Sequence, residues 1–187
     1  MNKPPKYAAF LAPLLAALTL EVRAEDPPEI PTNFEWYTFE EGDTACPHPR
    51  GWFVKTEVHG DTSAMFFSKE NIDEEGEFKT GLSLNIVRRI KAKSGQTPSE
   101  YARSVFDALV SRHPDAERVE NPAQHGMPGL GLKYVDSSRP TTIVVYNFLL
   151  ADDENDVLRL FILESPQADW AQTWELGKTI LNCRIRR

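Results

Sequence analysis

Cysteine is almost missing from this chain: of 187 residues only Cys46 and Cys183 carry sulfur in thiol form. They form no C-x-x-C pair, the spacing on which dithiol redox enzymes depend, so an oxidoreductase of that kind is set aside. Histidine is scarce as well. His48, His59, His113 and His125 show neither H-x-H nor H-E-x-x-H spacing, and without converging imidazoles or thiolates no metal site is expected. No apolar run reaches the roughly 20 residues that cross a bilayer as a helix. No N-x-S/T glycan acceptor occurs. Basic residues are the minority, 21 against 28 acidic, for a net charge of −7. Nucleic acid and anionic lipid both ask for a basic face, so neither is expected as a partner.

What the chain does have begins with an address. Lys3 and Lys6 supply positive charge, Ala8 to Leu20 is an apolar run interrupted by Pro13, and Val22-Arg23-Ala24 has the small-residue pattern of a cleavage site. This reads as a secretory signal peptide over residues 1–24. The mature chain is expected to be periplasmic or secreted, with no membrane insertion after cleavage. Removal of Lys3, Lys6, Arg23 and Glu21 leaves 18 basic against 27 acidic residues and a net charge of −9. Cys46 stands too far from that cleavage site to carry the usual bacterial lipid. Export and an even cysteine count favour a Cys46–Cys183 disulfide, with two buried free thiols as the alternative. With Cys46 placed before the first strand and Cys183 in the last helical turn, the bond would clasp the two ends of the fold.

Residues 25–50 read as an extended, aromatic and proline-rich lead-in. Three prolines and three acids between Glu25 and Pro31 leave little to bury. Phe34, Trp36, Tyr37 and Phe39 then form an aromatic cluster able to dock on the domain, before Pro47-His48-Pro49-Arg50-Gly51 breaks the chain. Strands follow over 52–58 and 64–67, joined by a Gly60-Asp61 turn. After an acidic loop over 70–76, the alternation of Leu82, Leu84 and Ile86 with Gly81, Ser83 and Asn85 predicts a strand over 78–90. The helix after it is marked by Thr97 as cap, Pro98 in the first turn and Glu100 three residues after the cap. Ala102, Val105, Phe106 and Leu109 give it one apolar stripe, and His113-Pro114 ends it at 112. Short strands are expected at 117–120 and 130–135, a hairpin from 141–150 and 157–164, and a last helix over 166–183 bearing Trp170 and Trp174.

Both faces of the 141–150 strand are apolar, so the sheet must be covered on two sides. The expected fold class is α/β (α+β): a three-layer α/β/α sandwich around a mostly antiparallel sheet. This order of elements resembles the PsbP-like fold, shared by the extrinsic photosystem II subunit PsbP, a nuclear Ran-binding import factor and the bacterial envelope protein DcrB. The likeness rests on Met65-Phe66-Phe67, on Gly81-Leu82-Ser83-Leu84-Asn85, on the capped helix after Thr97 and on the helix with Trp170 and Trp174. It covers residues 51–187, which set the expected domain. The resemblance implies a protein that is not an enzyme and acts through protein partners, and it supplies no catalytic residues.

Weighed directly, the chemical motifs agree with that implication. Gly81-Leu82-Ser83-Leu84-Asn85 brushes the G-x-S-x-G elbow but ends in Asn85 and lies mid-strand, where the elbow needs a strand-to-helix turn. Asp152-Asp153-Glu154-Asn155-Asp156 offers oxygen ligands but lacks the turn glycine of a calcium loop, and reads as a solvated hairpin turn. Gly126, Gly129 and Gly131 are not followed by the Lys-Ser/Thr of a phosphate loop. No catalytic, cofactor-binding or metal residue is therefore assigned. The expected function is an exported, non-enzymatic accessory or binding protein of a bacterial cell envelope, working by protein contact. Trp36 and Tyr37 are the candidate contact aromatics. Arg88 and Arg89 open the run Arg88-Arg89-Ile90-Lys91-Ala92-Lys93, which reads as strand-end charge and as a candidate cationic contact. Two alternatives stand beside it. One is a small-molecule binder or hydrolase with a pocket between sheet and helix, marked by Asn85, Arg89 and a histidine; the other is a periplasmic immunity or inhibitor protein.

Overall fold

A computed structural model describes residues 29–119, 126, 127 and 129–185. The expected signal peptide over 1–24 and His125 lie outside the described residues. Strands β1 (Phe34–Phe39) and β2 (Thr44–Pro49) pair antiparallel around a 3₁₀ turn, Glu40–Gly42. Next come β3 (Phe53–His59), β4 (Thr62–Ser68), the single-turn helix α1 (Ile72–Glu75) and β5 (Gly81–Arg88). Helices α2 (Ile90–Ser94) and α3 (Pro98–Arg112) lead to β6 (Glu117–Val119), β7 (Gly129–Asp136), β8 (Ile143–Asp152) and β9 (Val157–Pro166). A 3₁₀ turn precedes α4 (Trp170–Ile180), and the short β10 (Arg184–Ile185) ends the described chain. The main sheet has seven strands in the order β3-β4-β5-β9-β8-β7-β6, with every neighbouring pair antiparallel. A second sheet has the order β1-β2-β10.

All ten residues of β8 are buried, which is why its sequence is apolar on both faces. Tyr146, Phe148 and Leu150 join Met65, Phe67, Leu82, Leu84, Phe161 and Leu163 in one core, closed by α4 and the three-stranded sheet. Leu149 and Ala151 face the other way, into a core with Leu132, Leu158, Ala102 and Phe106 beneath α3. The fold is thus a three-layer α/β/α sandwich, as the double-faced hairpin requires, with the small sheet sharing one outer layer with α4. The capping box on α3 forms as the sequence predicts: Thr97 Oγ1 accepts from the Glu100 N–H at 3.2 Å and Glu100 Oε2 accepts from the Thr97 N–H at 2.8 Å.

Several local expectations need correction. Within the segment expected to be an extended lead-in, residues 34–49 are two paired strands, because Phe34 and Phe39 are buried in the first core and draw the segment onto the domain. Cys46 lies inside β2, not ahead of the first strand, and Cys183 lies beyond the end of α4. The last helix is a 3₁₀ turn followed by α4 over Trp170–Ile180, shorter than 166–183. The strand expected to reach residue 90 stops at Arg88, since Arg89 takes φ +58° and turns the chain into α2. His48, within the Pro47-His48-Pro49-Arg50-Gly51 run expected to break the chain, is instead buried in β2 and stacked on Phe67 at 4.9 Å.

The acidic hairpin turn also differs from a merely solvated one. Asp153 Oδ1 accepts from the Ser99 N–H at 2.8 Å and Asp156 Oδ1 from the Lys91 N–H at 3.0 Å. The turn's carboxylates therefore meet the first turns of α3 and α2, where unpaired N–H groups and the helix dipole favour negative charge. Asp152 is buried against Arg159 at 3.8 Å, and it accepts from the Asn155 N–H at 3.0 Å.

Candidate partner-binding surface

The Cys46–Cys183 disulfide is present and bridges 137 residues of chain. It ties β2 to the residue immediately before β10, so that Arg184 pairs with Ala45 and Ile185 with Thr44. A strand of two residues has little pairing energy of its own, and the covalent bond holds it in register. The alternation of β10 then divides its two side chains. Arg184 lies on the outer face of the small sheet with its guanidinium 5.7 Å from the Trp36 ring, a cation–π arrangement. Ile185 lines a cleft on the inner side.

That cleft, about 500 Å³, opens where the 3₁₀ turn Glu40–Gly42 and β10 meet the ends of β5, β8 and β9. Glu40, Asp43, Arg88, Asp152, Arg159 and Ile185 line it. Arg88 is fixed by three contacts: its guanidinium donates to the Glu41 carbonyl at 2.6 Å and to Ser63 Oγ at 3.1 Å, and it meets Asp43 at 3.3 Å. Arg159 and Asp152 sit deeper, their side chains each 5 % exposed. Burying two opposite charges is costly unless they are held together, so the pair fixes the geometry of the cleft floor. The wall is built from both signs of charge, a surface suited to polar contact.

The four expected contact residues therefore part company. Trp36 is half-buried on the outer face of the small sheet, whereas Tyr37 turns inward, edge-on to Phe67 at 5.9 Å and to His48 at 6.2 Å. Arg88 belongs to the cleft. Arg89 is exposed next to it and pairs with Asp61 at 3.5 Å. Arg184, Arg159 and the Glu40–Asp43 carboxylates were not singled out in the sequence, and Asp152 stood out only as part of an acidic hairpin turn. Arg159 left a signal, a charge in the middle of the apolar run Val157-Leu158-Arg159-Leu160-Phe161. Arg184 left none, because its role depends on a register set by the disulfide.

Among the described residues, Asn85, Arg89 and a histidine do not converge on a pocket between sheet and helix. Phe106, Ala102, Leu132, Leu149 and Leu158 fill the space under α3. Ser83 is buried mid-strand, where its hydroxyl accepts from Asn85 Nδ2 at 3.4 Å. Among the described residues no three His, Cys, Asp or Glu side chains come together as a metal-binding group, and no helix is long and apolar enough to cross a membrane.

At the far end of the sheet two carboxylates are shifted in opposite directions. Burial raises the Glu164 carboxyl above the usual range, against the pull of Arg139 at 3.4 Å. Burial opposes ionisation of Glu70 too, but bonds from the Thr80 N–H, the Ser68 hydroxyl and the Lys79 N–H prevail and hold it below that range. These groups flank a shallow depression of about 390 Å³ lined by Phe78, Lys79, Arg139 and Ile143.

With this geometry in place, the chain can be set beside known structures. Its fold matches that of a cyanobacterial PsbP from Synechocystis sp. PCC 6803, at 15 % identity and a TM-score of 0.50, over 82 % of this chain and 92 % of that one. It matches LpqN, a protein involved in cell envelope biogenesis of Mycobacterium tuberculosis, at 10 % identity and a TM-score of 0.51, over 77 % and 83 % of the two chains. A Bacteroides thetaiotaomicron protein matches at 10 % identity and a TM-score of 0.52 over 83 % of this chain, which spans about half (49 %) of that protein's length. No protein-family model matches the chain, and no curated protein matches it by sequence. The fold is the PsbP-like fold; at these identities the likeness carries the architecture alone.

Proposed function

We propose that this protein is an exported, non-enzymatic accessory or binding protein of a bacterial cell envelope that works by protein contact. The observation that carries the reading is the platform made by the small sheet: a half-exposed Trp36 under the Arg184 guanidinium, on strands anchored by a disulfide. Tryptophan and arginine are the side chains most often found to dominate interface energies, and a rigid support lowers the entropy lost on binding. The basic, apolar and small-residue pattern of residues 1–24 supports export. A disulfide supports an oxidising compartment. LpqN, with its part in envelope biogenesis, supports the envelope setting by analogy.

The test is crosslinking of the tagged protein in the intact envelope of its host, with copurified proteins identified by mass spectrometry. Wild type is compared with Trp36→Ala and Tyr37→Ala. One dominant partner lost on Trp36→Ala, with melting temperature nearly unchanged, is the expected result. Tyr37→Ala is expected to lower stability by about 3 kcal/mol as an aromatic core truncation. A partner retained by Trp36→Ala removes the small sheet from the interface. A secreted toxin as the partner would make the protein an inhibitor. A specific cleft supports a second reading: the charged walls around Arg88 and Arg159 suit a small polar ligand, and absence of any partner together with protection of the cleft by such a ligand would favour it.

A further inference from the structure

Strand β3 stands at one end of the seven-stranded sheet, and no described strand pairs with its outer edge. Such an edge is a template for another chain unless it is blunted by brevity, proline, a bulge or charge. At the opposite end β6 has only three residues. β3 has seven, contains no proline, and pairs with β4 from Phe53↔Ser68 to His59↔Thr62 without a bulge. Two of its apolar side chains are unusually open for a strand, Phe53 at 46 % and Val58 at 51 %.

The register of the hairpin decides which backbone groups the edge offers. Gly60, at φ +61°, and Asp61 form a two-residue turn closed by His59 and Thr62. In such a hairpin the closing pair is hydrogen-bonded and the pairs then alternate. His59, Glu57, Lys55 and Phe53 thus direct their N–H and C=O groups to β4, while Val54, Thr56 and Val58 direct theirs outward. The sequence around Thr56 is self-complementary under a two-fold axis. Thr56 meets its own copy, Val54 meets Val58, Lys55 meets Glu57, and Phe53 meets His59. This antiparallel register joins all three outward-facing residues at once, and slipping it by two residues in either direction leaves one of them out. It also sets opposite charges across from each other, twice, on one face, and valines together on the other.

We propose that β3 is a homodimer edge, on which a second copy of this chain pairs antiparallel about Thr56 to make one continuous sheet. Lys55 is held within its own chain by Asp73 at 2.8 Å and Glu57 at 3.4 Å. In the dimer the copy's Glu57 comes to face this paired ammonium. The charges that normally discourage edge pairing then specify the partner, since any register or strand that sets like charge in front of Lys55 and Glu57 is repelled. The surface is separate from the Trp36 platform and does not depend on it.

The experiment is sedimentation of the mature protein over a wide concentration range, for wild type and three variants. Wild type is expected to dimerise with a dissociation constant on the order of 10–100 µM, the weak range appropriate to a strand-edge contact. Lys55→Glu alone should weaken the dimer at least about tenfold, by facing like charges across the axis. Lys55→Glu combined with Glu57→Lys should restore it to within about threefold, because the cross-axis pairing is re-created with signs exchanged. Thr56→Pro removes an outward N–H without touching the bonds to β4, so it should leave a folded monomer. Monomeric wild type at about 1 mM, failure of the double reversal to recover what the single one lost, or a dimer that survives Thr56→Pro would each overturn the proposal.

Discussion

Removal of the Cys46–Cys183 bridge, by the double change Cys46→Ala/Cys183→Ala, tests how the small sheet is held. The bond closes a loop spanning 137 residues. On the chain-entropy relation a loop of that length restricts the unfolded chain by about 5 kcal/mol, and measured losses usually fall nearer 2–4 kcal/mol. For a domain of this size, each kcal/mol lowers the melting temperature by about 2–4 °C, so a loss of about 3 kcal/mol, the middle of that range, corresponds to a fall of roughly 6–12 °C. The structure adds where the loss should first appear. β10 has two residues, and without the bond its pairing to β2 should fray before the seven-stranded sheet opens. Guanidinium denaturation gives the magnitude, and amide hydrogen exchange gives the place. Protection should fall at β2 and β10 while β5, β8 and β9 keep theirs. A loss under about 1 kcal/mol, or exchange that rises evenly across both sheets, would refute the reasoning.

Two further predictions concern packing and charge. A Cβ at Gly81 would fall on the Phe67 carbonyl of the neighbouring strand, a backbone atom with nowhere to move, so Gly81→Ala should cost about 2–3 kcal/mol. At Gly177 the added carbon would clash with one methyl of the buried Leu163 side chain and touch its other methyl and Cγ, atoms of a side chain that can shift where the Phe67 carbonyl cannot. The gain in helix propensity of roughly 1 kcal/mol partly offsets the clash, and Gly177→Ala should cost less than Gly81→Ala in the same denaturation assay. The shifted carboxyls give pH dependence of opposite sign. Glu70, held below its ordinary value, contributes stability that is present above the unfolded value and lost as pH falls through the folded one. Glu70→Gln should therefore be destabilising near neutrality, with the gap closing in acid. Glu164, held above its ordinary value, costs stability as pH rises from the unfolded to the folded value, and Glu164→Gln should abolish that decline. A pH-independent difference in either variant would contradict the assigned shift.

The architecture was legible where one residue's role is decided by its near neighbours. Thr97, Pro98 and Glu100 mark a helix start through bonds within one turn, and α3 begins at Pro98 as they require. The double apolar alternation of β8 demanded cover on two faces, and both exist. Cys46 and Cys183 paired because composition left each no other partner. What depends on distant residues was hidden. Nothing near Tyr37 shows that Phe67, thirty positions on, will draw it inward and leave Trp36 outside. Asp153 and Asp156 look like solvated turn residues until the fold sets the N-termini of α3 and α2 beside them. Arg88 and Arg159, seventy-one residues apart, share a cleft only because β5 and β9 are neighbours in the sheet.

The bridge also determines how the molecule bears load. A pull applied at Phe34 and Ile185 travels through β1 and β2 to Cys46, crosses the sulfur bond, and leaves through β10. Everything between residues 46 and 183, including the whole seven-stranded sheet, lies on a side branch that carries no tension. Stretched between those two points, the chain would lengthen only by the strand residues outside the bridged loop, and the main sheet would come under mechanical load only after reduction.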